Sequence, residues 1–188
     1  MASKQHQLKV NQLLTDLTSG NETKIATAIK AFHVHGDASV IVPILNVWND
    51  GLSKENEALV KELLIGLKDT SCTDVLIECY RNSEFHAIKR ELTAVFWNAK
   101  LDFSPYLADI VLFAIEGDFL DAFEAITLIE QFENTSPEHA VMESQLLLKE
   151  YFGSNEDRNE QKDQLLSDIA LILKEYDEES GTEDLYFE

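Results

Sequence analysis

The fold is decided by residues 83–134, which read SEFHAIKRELTAVFWNAKLDFSPYLADIVLFAIEGDFLDAFEAITLIEQFEN. The stretch contains three apolar segments with helical spacing, separated by short polar turns. The whole chain has only 7 Gly and 3 Pro, whereas Leu, Ala, Glu and Lys are plentiful. This composition favours helices over strands, and we expect an all-α fold.

The apolar pattern of one helix recurs along the chain. Four positions at spacing i, i+3, i+4 and i+7, which share one face of a helix, are apolar in four successive segments. These residues are Ile25, Ala28, Ile29, Phe32; Val60, Leu63, Leu64, Leu67; Leu92, Val95, Phe96, Ala99; and Ala125, Leu128, Ile129, Phe132. A second set of helices is predicted to start at serines about 33 residues apart. These are Ser39, Ser71, Ser104 and Ser136. Proline follows Ser104 and Ser136, so each of these two hydroxyls is expected to cap a helix N-terminus.

Helix pairs such as TKIATAIKAFHVHGDASVIVPILNVWNDG, residues 23–51, resemble HEAT or armadillo-type repeats. The resemblance implies a right-handed α-solenoid, in which an outer and an inner helix pack together and stack onto the next pair. Only the first unit has a proline followed by two aliphatic residues inside its second helix, at Pro43. The Trp, Gly and Pro placement of tetratricopeptide repeats, which have a similar length, is missing.

The period predicts one solenoid domain over residues 1–180. Its helix pairs are expected at about 22–50, 53–82, 84–117 and 119–152, with an amphipathic helix before them and a capping helix at about 158–176. Residues 181–188 contain EDLYFE, which resembles the ENLYFQ site of a viral protease used for tag removal, so this tail is predicted to be foreign to the protein. No secretory signal and no run of about 18–20 apolar residues is present, which predicts a cytoplasmic protein that does not bind membranes.

The formal net charge of −20 is distributed unevenly. Residues 1–100 carry 11 Lys/Arg and 12 Asp/Glu, whereas residues 101–188 carry 4 and 23. Such a chain repels the phosphate backbone, which argues against a nucleic-acid partner and against the HEAT-like DNA glycosylases. An anionic half attracts positive surfaces, so we expect a basic protein partner. The alternative is that the acidity serves only solubility or a halophilic setting.

Motifs for catalysis, cofactor binding or metal binding are absent from the sequence, including HExxH, CxxC, GxSxG and glycine-rich phosphate loops. Cys72 and Cys79, seven residues apart in one predicted helix, lie about 10 Å apart, too far for a disulfide, and are expected to be buried thiols. We therefore expect a non-enzymatic interaction or scaffold protein without cofactor, metal or catalytic residues. The alternative is an enzyme, enzyme subunit or small-ligand binder similar to the HEAT-repeat bilin lyases, which would need a deep pocket near Glu78 and Glu143.

Partner binding is predicted on the second helix of each pair. Solenoids commonly bind partners along the face that these inner helices line. The seventh residues after the four helix-start serines are Asn46, Glu78, Val111 and Glu143. This polar row, interrupted by Val111, is either part of such a surface or ordinary solvent exposure. Trp97 is the other predicted contact: Phe96 and Trp97 are adjacent and cannot both face the same core, so one of them reaches an inter-repeat seam or anchors a partner.

Overall fold

The computed structural model describes residues 4–133, 135–154 and 159–183, with side chains of the last helix described as far as residue 176. Within these ranges the chain forms α-helices and short 3-10 helices and no strand, which confirms the predicted all-α class. The α-helices are α1 Lys4–Leu17, α2 Glu22–His35, α3 Ile41–Asn49, α4 Lys54–Ile65, α5 Ser71–Arg81, α6 Lys89–Asn98, α7 Leu107–Glu116, α8 Phe119–Glu130, α9 Glu138–Gly153 and α10 Glu160–Glu183. The 3-10 helices are Ala38–Val40, Ser83–Ile88 and Ser104–Tyr106.

The chain separates into two compact units, unit 1 (residues 1–101, with α1–α6) and unit 2 (residues 102–188, with α7–α10). The boundary falls inside the helix pair expected at 84–117, so α6 and α7 belong to different units. The single domain over 1–180 stays a prediction. Residues 184–188 of the tail expected to be foreign lie outside the described residues, while the backbone of 181–183 continues α10.

In unit 1, helices pack against the helix two positions further along the chain. α2 packs against α4 and α4 against α6, while α3 packs against α5, and α1 covers α2. This order follows from the apolar stripes of α2, α4 and α6, the first helices of the expected pairs. Each stripe is too wide to be covered by the second helix of the same pair alone. Ala28 and Ile29 of α2 are fully buried, as are Val60 and Leu64 of α4.

The repeating stripe is buried almost throughout the two units. Of its sixteen residues, thirteen are buried and three are half-buried. Leu67, Ala99 and Phe132 are the half-buried ones, and each follows the last residue of its helix, α4, α6 or α8. The stripe therefore predicts the core correctly as far as the helix lasts, and its final position marks where three of the four helices have ended.

The starts of the second helices are held by aspartates and not by the serines. Asp37, Asp69 and Asp102 accept a hydrogen bond through Oδ1 from the backbone N–H of the residue two positions later, at 2.9, 3.0 and 2.9 Å. The residues that donate are the helix-start serines Ser39, Ser71 and Ser104. Such turns are a known use of aspartate, and a charged acceptor makes a stronger hydrogen bond than a hydroxyl does.

The predicted hydroxyl caps at Ser104 and Ser136 are wrong. Neither the 3-10 helix at Ser104–Tyr106 nor α9 has a side-chain cap. Both serines are buried, and at Ser104 the N–H is already bound by Asp102. At the fourth start the corresponding position is Asn134, which lies outside the described residues.

In unit 2, α7 and α10 each pack against both α8 and α9. A capping box closes the start of α8, where the side chains of Asp118 and Asp121 each accept from the other's backbone N–H. α10 occupies the place of the capping helix expected at 158–176 and continues to Glu183. Its Leu166, Ile169 and Leu173 are fully buried, so one face of α10 completes the core of unit 2.

Lys162 of α10 caps the C-terminal end of α7. Its ammonium donates to the backbone oxygens of Ile115 and Gly117 at 2.6 and 2.7 Å and lies 5.3 Å from the centre of the Tyr151 ring. Burial lowers the pKa of Lys162, against the raising effect of nearby aspartates. The ammonium thus satisfies carbonyl groups that a helix end leaves unpaired and complements the negative end of its dipole.

Candidate functional site

The four residues of the predicted polar row do not share one kind of environment. Asn46 on α3 and Glu78 on α5 are exposed in unit 1, and Glu143 on α9 is exposed in unit 2. Val111 is fully buried, because α7 packs against both α8 and α9 and has core on two sides. The repeat position is therefore exposed on α3, α5 and α9 but buried on α7. The sequence register predicts exposure at this position only where no other helix packs against that side of the helix.

The adjacent aromatic residues Phe96 and Trp97 point in different directions, as the sequence requires. Phe96 is 1% exposed and packs against the ring of Tyr80, with ring centres 5.4 Å apart. Trp97 is 37% exposed on α6. An exposed indole is a frequent anchor in protein interfaces, and this role of Trp97 stays a prediction.

The exposed side of α9 combines apolar and acidic side chains. Met142 and Leu146 are 58% and 55% exposed, four residues apart and hence neighbours on one face. Glu143 and Glu150 are exposed on the same side of the helix. We call Met142, Glu143, Leu146 and Glu150 the α9 face. The opposite side of α9, with Ala140, Val141, Ser144 and Leu148, is buried.

Sequence reasoning found only Glu143 of this face. Met142 and Leu146 belong to an apolar run that looks like core, and the burial of Val141 and Leu148 shows that part of the run is core. A signal was present in the sequence: Met142, Leu146 and Glu150 follow one another at intervals of four, which places apolar and acidic residues in one row. A similar exposed pair, Leu120 and Phe123, lies on α8.

Negative charge is concentrated in the unit that carries this face. The residues of unit 1 include 11 Lys/Arg and 12 Asp/Glu, and those of unit 2 include 4 and 23. The charge break seen in the sequence therefore coincides with the boundary between the units. Of the four basic residues in unit 2, Lys162 already holds carbonyl groups at the end of α7.

Unit 1 contains a cavity of about 390 Å³ between the ends of α2 and α4 and the starts of α3 and α5. Its apolar wall includes Phe32, Ile44 and Leu64, and its polar groups include Asp37 and Asp69. Asn46, Glu78, Glu143 and Trp97, the four predicted contact residues, are not among its lining. Sequence reasoning missed this cavity because its walls come from helix ends about 30 residues apart.

The two cysteines are buried free thiols, as predicted. Burial raises the pKa of the Cys72 thiol, and the nearby charges of Asp69 and Asp37 add to that effect. Burial also raises the pKa of Cys79, with a further contribution from Glu78. A thiol attacks as its thiolate, so both groups are poor nucleophiles at neutral pH.

Among the residues with described placement, no three His, Cys, Asp or Glu side chains are grouped in a way that could hold a metal ion. In the same part of the chain, every helix is too short or too polar to cross a bilayer. A comparison of the chain with protein-family models, with characterised proteins and with solved structures gave no match.

Proposed function

We propose that this chain is a non-enzymatic protein-interaction module of the HEAT type, whose acidic unit 2 binds a basic partner protein. The observation that carries the proposal is the coincidence of the charge break with the boundary between the units. Charge needed only for solubility has no physical reason to stop at such a boundary. A field of one sign raises the rate of encounter with an oppositely charged partner and disfavours acidic surfaces.

The HEAT-like part of the proposal is supported by the repeating features inside each unit. Packing of α2 on α4, α4 on α6 and α3 on α5 is the neighbour order expected of stacked helix pairs. The aspartate turns before Ser39, Ser71 and Ser104 recur with the same geometry at intervals of about 33 residues. The proposal of a solenoid assumes that this stacking of successive helix pairs continues along the chain.

The α9 face is the contact surface proposed on unit 2. Met142 and Leu146 offer apolar area that a partner can bury, and Glu143 and Glu150 beside them offer acceptors for Lys or Arg. An amphipathic helix with an apolar stripe flanked by basic residues has the matching chemistry, since such helices bind through residues spaced at i, i+3, i+4 and i+7. A purely polar basic segment would leave the apolar pair uncovered.

A designed helical peptide with Leu on one side and Lys or Arg on the flanks tests the proposal. Its affinity for the full chain is measured by fluorescence anisotropy, beside a peptide of the same composition in scrambled order. We expect the amphipathic peptide to bind at least about tenfold more tightly than the scrambled one, because only the first can bury Met142 and Leu146. Binding should also weaken as salt is raised.

Variants locate the contact. Met142→Gln with Leu146→Gln is expected to weaken binding of the amphipathic peptide about thirtyfold, since two exposed apolar anchors at about 1 kcal/mol each contribute about 2 kcal/mol together. Two exposed apolar residues of unit 1 provide the matched control, Leu8→Gln with Val34→Gln, which should leave the affinity unchanged. Equal affinity of both peptides, or equal effects of the two variant pairs, would contradict a specific site on α9.

A further inference from the structure

The cavity of unit 1 has an apolar wall. Phe32 from α2, Ile41 and Ile44 from α3, and Leu64 from α4 line it, and each is buried against its neighbours. A volume of about 390 Å³ is at the small end of the range of ligand sites. The shape therefore suits a small molecule with an apolar body.

Charged groups gather at the same cavity. Asp37 and Asp69, the turn residues before α3 and α5, line it together with Lys68 and His33. The hydrogen bonds with Ser39 lower the pKa of Asp37, and those with Ser71 lower the pKa of Asp69, so both carboxylates are ionised at neutral pH. The charge of Asp69 raises the pKa of Asp37, and the charges of both acids add to the effect of burial in raising the pKa of the Cys72 thiol, so the three groups of the cavity wall lie near one another.

The turns also fix where these carboxylates lie. Oδ1 of Asp37 accepts from the N–H of Ser39 at 2.9 Å, and Oδ1 of Asp69 accepts from the N–H of Ser71 at 3.0 Å. The two acids are therefore held before any ligand arrives, which reduces the entropy that a ligand must overcome on binding. Lys68 offsets one of the two negative charges, so one net negative charge remains beside the apolar wall.

We propose that this cavity binds a small free amine, an ammonium group on an aryl or alkyl body, with the ammonium held by Asp37 and Asp69 and the body against Phe32, Ile44 and Leu64. One net negative charge matches a monocation, whereas a carboxylate ligand would be repelled and a dication would leave a charge unpaired. The site belongs to unit 1, so it is independent of the proposed peptide contact on α9.

Three compounds of similar size, each with one phenyl ring but with different charge, test the proposal. They are 2-phenylethylamine, a cation; 2-phenylethanol, which is neutral; and phenylacetate, an anion. Each is titrated into the uniformly ¹⁵N-labelled full chain, and the backbone amide shifts of Gly36, Gly66 and Cys72 are followed. We expect saturable shifts with the amine at a dissociation constant of about 1 mM or below, and at least about tenfold weaker effects with the other two. Equal binding of the alcohol, or no saturation with the amine up to about 10 mM, would overturn the proposal.

Substitutions of opposite expected sign sharpen the test. Asp37→Asn and Asp69→Asn keep the turn acceptor Oδ1 and remove the charge, so the chain should fold while the amine binds about three- to tenfold more weakly. Lys68→Gln removes the competing positive charge and should strengthen binding. Asp50→Asn, at an exposed acid outside the cavity, is the matched control and should change nothing.

A fourth compound separates a free amine from a protein side chain. Nα-acetyl-lysine amide carries the same ammonium on an alkyl chain attached to a peptide backbone. Tighter binding of this compound than of 2-phenylethylamine would overturn the assignment to a free small molecule. Loss of the amine shifts in Asp37→Asn with unchanged circular dichroism would support it, because the fold would then be intact.

Discussion

Unit 1 and unit 2 follow one repeat pattern and differ in what they present to solvent. Unit 1 is nearly neutral, and one of its polar side chains, Asn56, is buried in contact with Glu22. Unit 2 carries 23 Asp/Glu against 4 Lys/Arg and exposes apolar residues on α8 and α9. The apolar stripe recurs in both, so the surface charge of such a repeat can change while the stripe that forms the core is kept. Substitutions in each unit test how separately the two units fold.

The largest expected effect is the loss of stability when a core side chain is truncated. Two spectroscopic signals, one specific to unit 1 and one common to both units, measure it. Leu64→Ala in unit 1 and Ile129→Ala in unit 2 should each reduce the free energy of unfolding by about 3 kcal/mol, because both side chains are fully buried. Both tryptophans, Trp48 and Trp97, belong to unit 1, so their fluorescence follows that unit, while circular dichroism follows all helices.

If the units unfold independently, Ile129→Ala shifts the urea midpoint seen by circular dichroism and leaves the fluorescence midpoint in place. Leu64→Ala then shifts the fluorescence midpoint. Coincident transitions for both probes in both variants would show one cooperative domain over the whole chain, as the repeat period predicts.

The second prediction concerns the lysine that holds the end of α7 in unit 2. Lys162→Met should destabilise the protein by about 2 kcal/mol, because two carbonyl groups lose a charged donor. Urea unfolding followed by circular dichroism measures the change. Lys149→Met, at an exposed position of α9, is the control and should have an effect of less than about 0.5 kcal/mol. Similar effects of the two substitutions would contradict the role given to Lys162.

The third prediction concerns the corresponding polar contact in unit 1. Asn56 is 3% exposed, and its side-chain amide donates to the backbone oxygen of Glu22 at 3.2 Å and to the Glu22 carboxylate, joining the start of α4 to that of α2. Asn56→Ala should cost about 1–2 kcal/mol, measured by tryptophan fluorescence in urea. The exposed Asn46→Ala serves as control, and an equal loss there would mean that the buried contact contributes little.

The smallest effect is a pH dependence of unit 1 caused by its turn aspartates. Hydrogen bonds with Ser39 lower the pKa of Asp37 in the folded chain, so its stabilising contribution is present above the unfolded pKa and is lost as the pH falls through the folded value. Asp37 is exposed, and solvent screening keeps the contribution below about 0.5 kcal/mol.

Fluorescence-detected urea unfolding at about pH 6 and about pH 3 measures this difference. The wild type should lose slightly more stability than Asp37→Asn over that interval, since the amide keeps the turn acceptor and cannot be protonated. A larger loss in the variant would reverse the sign and contradict the assignment.

Much of the core follows from the sequence, because helical spacing fixes which residues share a face. The stripe predicted the burial of Ile29, Val60 and Ile129. Spacing cannot say how many neighbours a helix will have, so it does not show that the repeat position exposed at Asn46, Glu78 and Glu143 is fully buried at Val111. The aspartate turns were missed because serine and aspartate both accept hydrogen bonds at helix starts, and the sequence does not show which of the two side chains does so.

The candidate sites were harder to predict than the fold. Glu143 was found through the repeat register, but its apolar neighbours Met142 and Leu146 look like core residues in the sequence alone. The cavity joins Asp37 to Asp69, which only the packing of α2 on α4 and α3 on α5 brings together. Sites between repeats depend on tertiary packing and leave no local motif.

The exposure of Met142 links the α9 face to oxidation chemistry. Met142 is one of two methionines in the chain, and more than half of its side chain is accessible. A peroxide converts such a thioether to a sulfoxide, which is polar and can be reduced again by methionine sulfoxide reductases. Leu146 would then be the remaining apolar residue of the pair on α9. Oxidation would therefore weaken the binding of a basic amphipathic helix there, and reduction of the sulfoxide would restore it.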